Sequence, residues 1–253
     1  MNYFFISIFA LLMSCGPREI YQEEGAEILS PLIFEMDSLV REKCVGESCA
    51  QIRLVWPMAK GGEKADIINS QIRETVKNLM QYGEKDSPDL EAGADQFLEE
   101  FLSFRSEFPE SAQEWEIQVE GEVSYSSDQT LSIFFSQYTY LGGAHPNSMV
   151  YFLNLDYTSG KALDSNQLVL NEKELLKLTE QKFREYHEVE EGISLEESGK
   201  FLLPETGFFL ANAMGFQEDR FKVIYIPYEI GSYAMGYTEL EFSREELKEI
   251  VRW

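Results

Sequence analysis

Few side chains in this sequence are equipped for chemistry, so each can be weighed. Only two histidines occur among 253 residues, His145 and His187. His145 stands in Gly142-Gly143-Ala144-His145-Pro146. The two glycines let the backbone turn sharply or approach a partner closely, and Pro146 pushes the residue before it towards an extended conformation. An imidazole there could act as a general base, as a ligand, or as part of a structural turn. Base catalysis needs a Ser or Cys nucleophile and an acid that orients the ring. The sequence marks neither: Gly-x-Ser-x-Gly, His-Glu-x-x-His and the phosphate-binding Gly-rich loop are all missing from it. Tyrosines flank the glycine-rich stretches, with Tyr138 and Tyr140 before the first and Tyr228, Tyr233 and Tyr237 in and after a second. Amphipathic rings on loops suit recognition. The expected binding residues are Tyr140, Gly142, Gly143, Ala144, His145, Pro146, Tyr228 and Tyr233. The acidic pairs Glu99/Glu100, Glu190/Glu191 and Glu196/Glu197 point in different directions on a helix and read as solvated faces.

The three cysteines divide by position. An apolar run from Tyr3 to Met13 ends in Leu12-Met13-Ser14-Cys15. It is too short to span a bilayer, which takes about 20 residues, and has the length of a signal-peptide core. Its end resembles the bacterial lipobox, in which a Cys is acylated and becomes the new amino terminus. The expectation is a signal peptide over 1–14, acylation of Cys15, and a polar tether over 15–40. Cys44 and Cys49, with a Gly between them, read as a disulfide in an exported chain. A metal site is the rival reading and is poorly supplied with ligands, so no metal and no cofactor is expected.

Charge narrows the partners. Lys and Arg number 21 and Asp and Glu 45, for a formal net charge of −24. Nucleic acid needs a basic face and an anionic lipid surface attracts basic segments, so neither is an expected partner. Membrane contact would be through the lipid anchor alone. A field of this sign keeps a domain soluble or attracts a cationic protein.

The elements that must position these groups follow from periodicity. Residues 51–57 alternate and read as a strand stopped by Pro57. Ile68, Ile72, Val76 and Leu79 recur at helical spacing over 64–80, and 95–108 carries a second apolar face ended by Pro109. The period then falls to two: 115–125 and 131–140 read as a hairpin, and 149–155 as a third strand. Asn171 with Glu174 opens a helix, and Ser243 with Glu246 caps a final one. Between these, 201–203 reads as a short strand, 208–210 and 220–226 as a hairpin, and 237–242 as the last strand. This order predicts an α+β protein of antiparallel sheets with helices packed on one face. It has two sequential subdomains, 41–160 and 161–253.

Three segments resemble one exported bacterial domain family. They are Tyr140-Leu141-Gly142-Gly143-Ala144-His145-Pro146-Asn147, then Asn154-Leu155-Asp156-Tyr157-Thr158-Ser159-Gly160-Lys161, and Ile226-Pro227-Tyr228-Glu229-Ile230-Gly231-Ser232-Tyr233-Ala234-Met235-Gly236. Upstream, Trp56-Pro57 and the Ile68-Asn69…Ile72 helix are similar to that family's amino-terminal half. The family occurs in the extracytoplasmic part of RsiV-type anti-sigma factors and beside the catalytic domain of PdaC-type peptidoglycan deacetylases. Ser232 replaces the family's usual Pro. The resemblance implies a non-enzymatic module of the cell envelope, and the Cys15 reading adds a lipid anchor on the periplasmic or outer side. Its implied partner is a cationic, lysozyme-like protein or a cell-wall glycan. The alternative is an envelope hydrolase or deacetylase acting on peptidoglycan or polysaccharide.

Overall fold

A computed structural model describes residues 32–81 and 87–253. The expected signal peptide, Cys15 and the expected tether as far as residue 31 lie outside the described residues. The first strand, β1 (Ile33–Val45), is joined by a tight turn to β2 (Ser48–Lys60), and Cys44 faces Cys49 across the pair in a disulfide. The tether expected to reach residue 40 therefore ends before Ile33. Its polar composition is that of an edge strand, whose outward groups stay in water. Strand β2 continues through Pro57. Its pairing with the next strand stops at Val55, so on that side no ladder needs the missing N–H.

Two helices follow, α1 (Ala65–Met80) and α2 (Leu90–Glu107). Helix α2 begins five residues before the expected start, because the Asp89 side chain accepts the Ala92 N–H and caps it. Together they form the crossover that lets β3 (Trp115–Ser126) run parallel to β2, while β4 (Thr130–Tyr140) and β5 (Asn147–Asp156) add antiparallel. The sheet order is β1-β2-β3-β4-β5. It is antiparallel, as expected, except for the β2–β3 ladder. Ile68, Ile72 and Val76 of α1 and Phe97 and Phe101 of α2 close a core over Ile52, Leu54, Ile117, Val119, Ile133 and Phe135.

The second half starts with a short helix, α3 (Ser165–Leu168), and then α4 (Glu172–Tyr186), capped by Asn171 accepting the Glu174 N–H. A three-stranded antiparallel sheet follows, β6 (Ala213–Gln217), β7 (Arg220–Tyr225) and β8 (Thr238–Phe242). The expected hairpin partner 208–210 is irregular; the turn falls later, at Glu218-Asp219, where Glu218 adopts a left-handed φ of 54°. Residues 201–203 are not a strand, and 244–250 form successive turns rather than a helix. Ser243 and Glu246 nevertheless cap them reciprocally. Phe183 of α4 packs with Phe221, Val223 and Tyr225 of β7 and Phe242 of β8 in a second core. The chain is α+β, with helices on one face of each sheet.

Strand β6 lies against the other face of the large sheet. Being an edge strand, it carries backbone groups that β7 does not pair. Side chains of the large sheet pair them instead. Asn154 Nδ2 donates to the Met214 carbonyl at 2.8 Å, and Ser124 Oγ to the Phe216 carbonyl at 2.6 Å. Ser132 Oγ accepts the Phe216 N–H at 3.4 Å and donates to Asn154 Oδ1 at 2.5 Å. Gly215 allows this approach: a Cβ there would sit 2.5 Å from the Phe152 ring. The described residues pack as one compact unit.

A buried carbonyl left without its donor costs about 1–3 kcal/mol. Asn154→Ala is therefore expected to lower stability by about 2 kcal/mol or more, read as a shifted urea midpoint at unchanged m-value. An unchanged midpoint means that the seam is not what holds the two sheets.

Candidate functional site

The two loops singled out by residue type lie 80 residues apart in sequence and meet in the fold. The first joins β4 to β5. Gly142 holds a left-handed φ of 76° directly over the Gln113 side chain, where a Cβ would sit 2.5 Å from Gln113. The tip, Gly143, Ala144 and His145, is exposed. His145 Nδ1 is 2.9 Å from the Pro146 carbonyl.

The second loop joins β7 to β8 and begins with a tight turn. The Glu229 N–H donates to the Ile226 carbonyl at 3.0 Å, Pro227 stands second in the turn, and Tyr228 stands third with φ 72°. That is the pattern of a type II turn, whose third position favours Gly. The Glu229 carboxylate fastens the turn by accepting the Ile226 N–H and the Asn212 N–H, each at 3.0 Å. A single 3₁₀ turn, Tyr233–Met235, completes the loop.

The rings converge. His145 stacks on Tyr233 with centroids 4.1 Å apart and planes 21° from parallel. Tyr228 lies 5.5 Å from Tyr233, and its hydroxyl is 3.4 Å from His145 Nε2. The Tyr233 hydroxyl donates to the Pro146 carbonyl at 3.1 Å, tying the loops together. Below them, Tyr237 is hydrogen-bonded to Ser148, and burial, chiefly, raises its hydroxyl above the ordinary tyrosine range. Tyr228 remains 56% exposed. The cluster thus presents the exposed rings of His145 and Tyr228 to solvent, with Tyr233 half-buried between the loops.

Of the expected residues, His145, Pro146, Tyr228 and Tyr233 come together. Gly142, Gly143 and Ala144 shape the loop that carries two of them. Tyr140 ends β4 opposite Glu116 of β3, and among the described residues no ring contact joins it to the cluster. Sequence reasoning missed Glu229 and Gln113, and it noted Tyr237 beside the second loop without placing it among the binding residues. Glu229 was legible only as one acid among 45, and its role depends on a backbone turn. The other histidine, His187, caps the end of α4 with Nε2 2.9 Å from Thr238 Oγ1. Burial, and then the charge of Lys200, depress its basicity.

Among the described residues no carboxylate pairs with His145. The one group of side chains with metal-ligand spacing among the described residues is Glu42, Cys44 and Cys49, and its two sulfurs are bonded to each other. No helix among the described residues is long and apolar enough to cross a membrane.

Residues 45–148 match the family model described as Deacetylase PdaC, and residues 166–245 match the family model described as a protein of unknown function, DUF3298. The chain is of the PdaC/DUF3298 type. The ring cluster spans both parts: His145 belongs to the PdaC-type part, and Tyr228 and Tyr233 to the DUF3298-type part. The crystal structure of a DUF3298 family member from Bacteroides fragilis superposes with a TM-score of 0.64 at 16% identity, over 87% of this chain and 94% of that one. A DUF3298 family protein from Pseudomonas aeruginosa gives 0.61 at 18% identity, over 88% and 95%. At these identities the likeness speaks to the fold alone. No curated protein matches the chain significantly in sequence.

A non-Gly residue in the left-handed region costs about 1–2 kcal/mol. Tyr228→Gly is expected to keep or raise thermal stability, whereas Tyr228→Ala does not raise it. Loss of stability in the Gly variant would mean that the ring is a packing element.

Proposed function

We propose that this PdaC/DUF3298-type chain is an exported, lipid-anchored, non-enzymatic binding protein of the cell envelope. The observation that carries the reading is the convergence of His145, Tyr228 and Tyr233 from two distant loops into an exposed cluster. One of its rings is held in a backbone conformation that costs stability. Strain of that kind persists where the surroundings impose it, and it clusters at functional sites. Amphipathic rings fixed at a surface supply contact area with little entropy left to lose.

Several observations support the envelope setting. The Cys44–Cys49 disulfide suits an oxidising compartment. The PdaC-type part belongs to a family named for a deacetylase, which links it to cell-wall chemistry. The leading apolar run ending at Cys15 is that of a lipoprotein precursor. Acylation at Cys15 is expected to appear in mass spectrometry of the native envelope protein as a lipid-modified amino-terminal Cys. An unprocessed Met1 would remove the anchor from the proposal.

The partner we favour is a cationic, lysozyme-like protein, with a cell-wall glycan as the other ligand of the same surface. A net charge of −24 speeds encounter with a cation, and the rings give the contact a desolvated centre. In calorimetry at about 0.15 M salt, where the Debye length is about 8 Å, a lysozyme should bind and cytochrome c should not. Tyr228→Gly and Tyr233→Ala should each weaken that binding at least about tenfold, a typical loss at an interface anchor. Equal binding of both basic proteins, or binding untouched by the two variants, would mean that charge alone is acting. The hydrolase or deacetylase alternative makes the opposite prediction for His145: turnover of acetylated glycan that disappears in His145→Ala.

A further inference from the structure

Strand β1 is the outer edge of the five-stranded sheet, and among the described residues nothing pairs with its outer side. It has 13 residues, more than twice the usual strand length of about 5–6. Long, open edges invite pairing, and proteins commonly protect them with charges, prolines or bulges. This edge has no proline, and its register with β2 runs unbroken from Ile33 to Val45. Its charges are what decide the matter, because of their order.

The acids Glu35 and Asp37 lie in one half of the strand, and the bases Arg41 and Lys43 in the other, with Glu42 between the two bases. The midpoint of Ile33–Val45 is Leu39. When the strand is set antiparallel against a copy of itself about that midpoint, Asp37 falls opposite Arg41 and Glu35 opposite Lys43. Each pair occurs twice by symmetry. The exposed apolar residues Ile33 and Val45 fall opposite each other at both ends. No residue of either strand overhangs. Opposite charges and apolar pairs directly across an antiparallel ladder are both stabilising, and like charges are destabilising.

Other registers lose these matches. A slip of one residue sets Glu42 opposite Glu35 in one direction and opposite Asp37 in the other. A slip of two breaks both pairings and leaves a single one, Glu35 with Arg41 in one direction and Asp37 with Lys43 in the other. The pattern therefore selects one register, as a sequence shaped for self-pairing does and one shaped only to repel neighbours does not. Within one copy these side chains make local or loose contacts: Asp37 accepts the Ser38 N–H at 2.9 Å, Arg41 donates to the Val40 carbonyl at 3.1 Å, and Glu35 lies 3.8 Å from Lys60. Residues 40–45 are all exposed.

We propose that the protein forms a two-fold dimer in which β1 pairs antiparallel with β1 of a second copy, centred on Leu39, so that the two five-stranded sheets become one. The interface is isologous: the same strand serves on both sides and closes on itself. The net charge opposes association at long range, and physiological salt screens it beyond about 8 Å, whereas the ladder acts at contact distance. The proposal does not depend on the ring cluster or its ligand.

The test is sedimentation equilibrium of the full chain at physiological salt, comparing the native sequence with Asp37→Arg, Arg41→Asp and the double exchange. The native chain should show a monomer–dimer equilibrium. Each single change puts like charges opposite each other at two symmetric places and should weaken dimerisation at least about tenfold. The double exchange restores opposite charges in the reversed order and should bring the dimer back to within about threefold of native. Circular dichroism keeps folding out of the comparison, and the double exchange also guards against a misfolded single variant. A native chain that stays monomeric overturns the proposal. So does association that ignores the single changes, as contact through another surface would, or a double exchange that fails to restore it.

Discussion

An edge strand cannot be buried with its outward peptide groups unpaired, and the docking of β6 on the large sheet is the place where this fold meets that constraint. Ser124, Ser132 and Asn154 come from three successive strands, and together they answer the Met214 carbonyl and both the N–H and the carbonyl of Phe216. The two halves of the chain are thus held by matched polar groups as well as by the apolar contact of Phe152 with Ala213 and Ile224. Apolar packing tolerates sliding. A row of hydrogen bonds from fixed side chains to a fixed backbone does not.

The ring cluster inherits its geometry from that seam. The β4–β5 loop and the β7–β8 loop belong to different sheets, and only a fixed relation between the sheets brings His145 onto Tyr233 at stacking distance. Local devices then refine the placement: Gln113 under Gly142, Glu229 across its turn, and the Tyr233 hydroxyl on the Pro146 carbonyl. At the far end of the chain, Arg252 pairs with Asp156 beside the end of β5. Burial works against ionisation of Asp156. Hydrogen bonds from Ser159 and the Arg252 charge outweigh it and hold the carboxyl below the ordinary range.

Much of this was legible in the sequence where one periodicity dominates. Ile68, Ile72 and Val76 announce α1, and the alternation of Trp115, Ile117 and Val119 announces β3, because each has one face in a core and one in water. Strand β1 was not legible. Only Leu39 is buried in it, and its charges resemble those of a solvated tether. The parallel β2–β3 ladder is equally silent, since pairing direction is set by the crossover and not by either strand. Residues 208–210 are apolar enough for a strand, yet Phe208 and Phe209 pack around Tyr225, and Phe209 accepts that residue's buried hydroxyl. The residue types of the candidate site were visible in both loops. Their meeting was not, because it depends on contacts between residues some 80 positions apart.

The parallel ladder also sets an order of events. The hairpins β1–β2, β3–β4–β5 and β6–β7–β8 join neighbours in the chain, whereas Ile52 must find Ile117 across two helices. Closing so long a loop is entropically costly and slow, and its reward comes only when the core on both sides is ready. The topology therefore makes β2–β3 a late step, with a disulfide-bearing hairpin waiting beside a preformed meander. Pulsed hydrogen exchange during refolding would show this as the amides of residues 50–55 that face β3 gaining protection after those of β4, while the alternate amides that face β1 are protected with the hairpin. Until then the β3 edge lies open beside the β1–β2 hairpin.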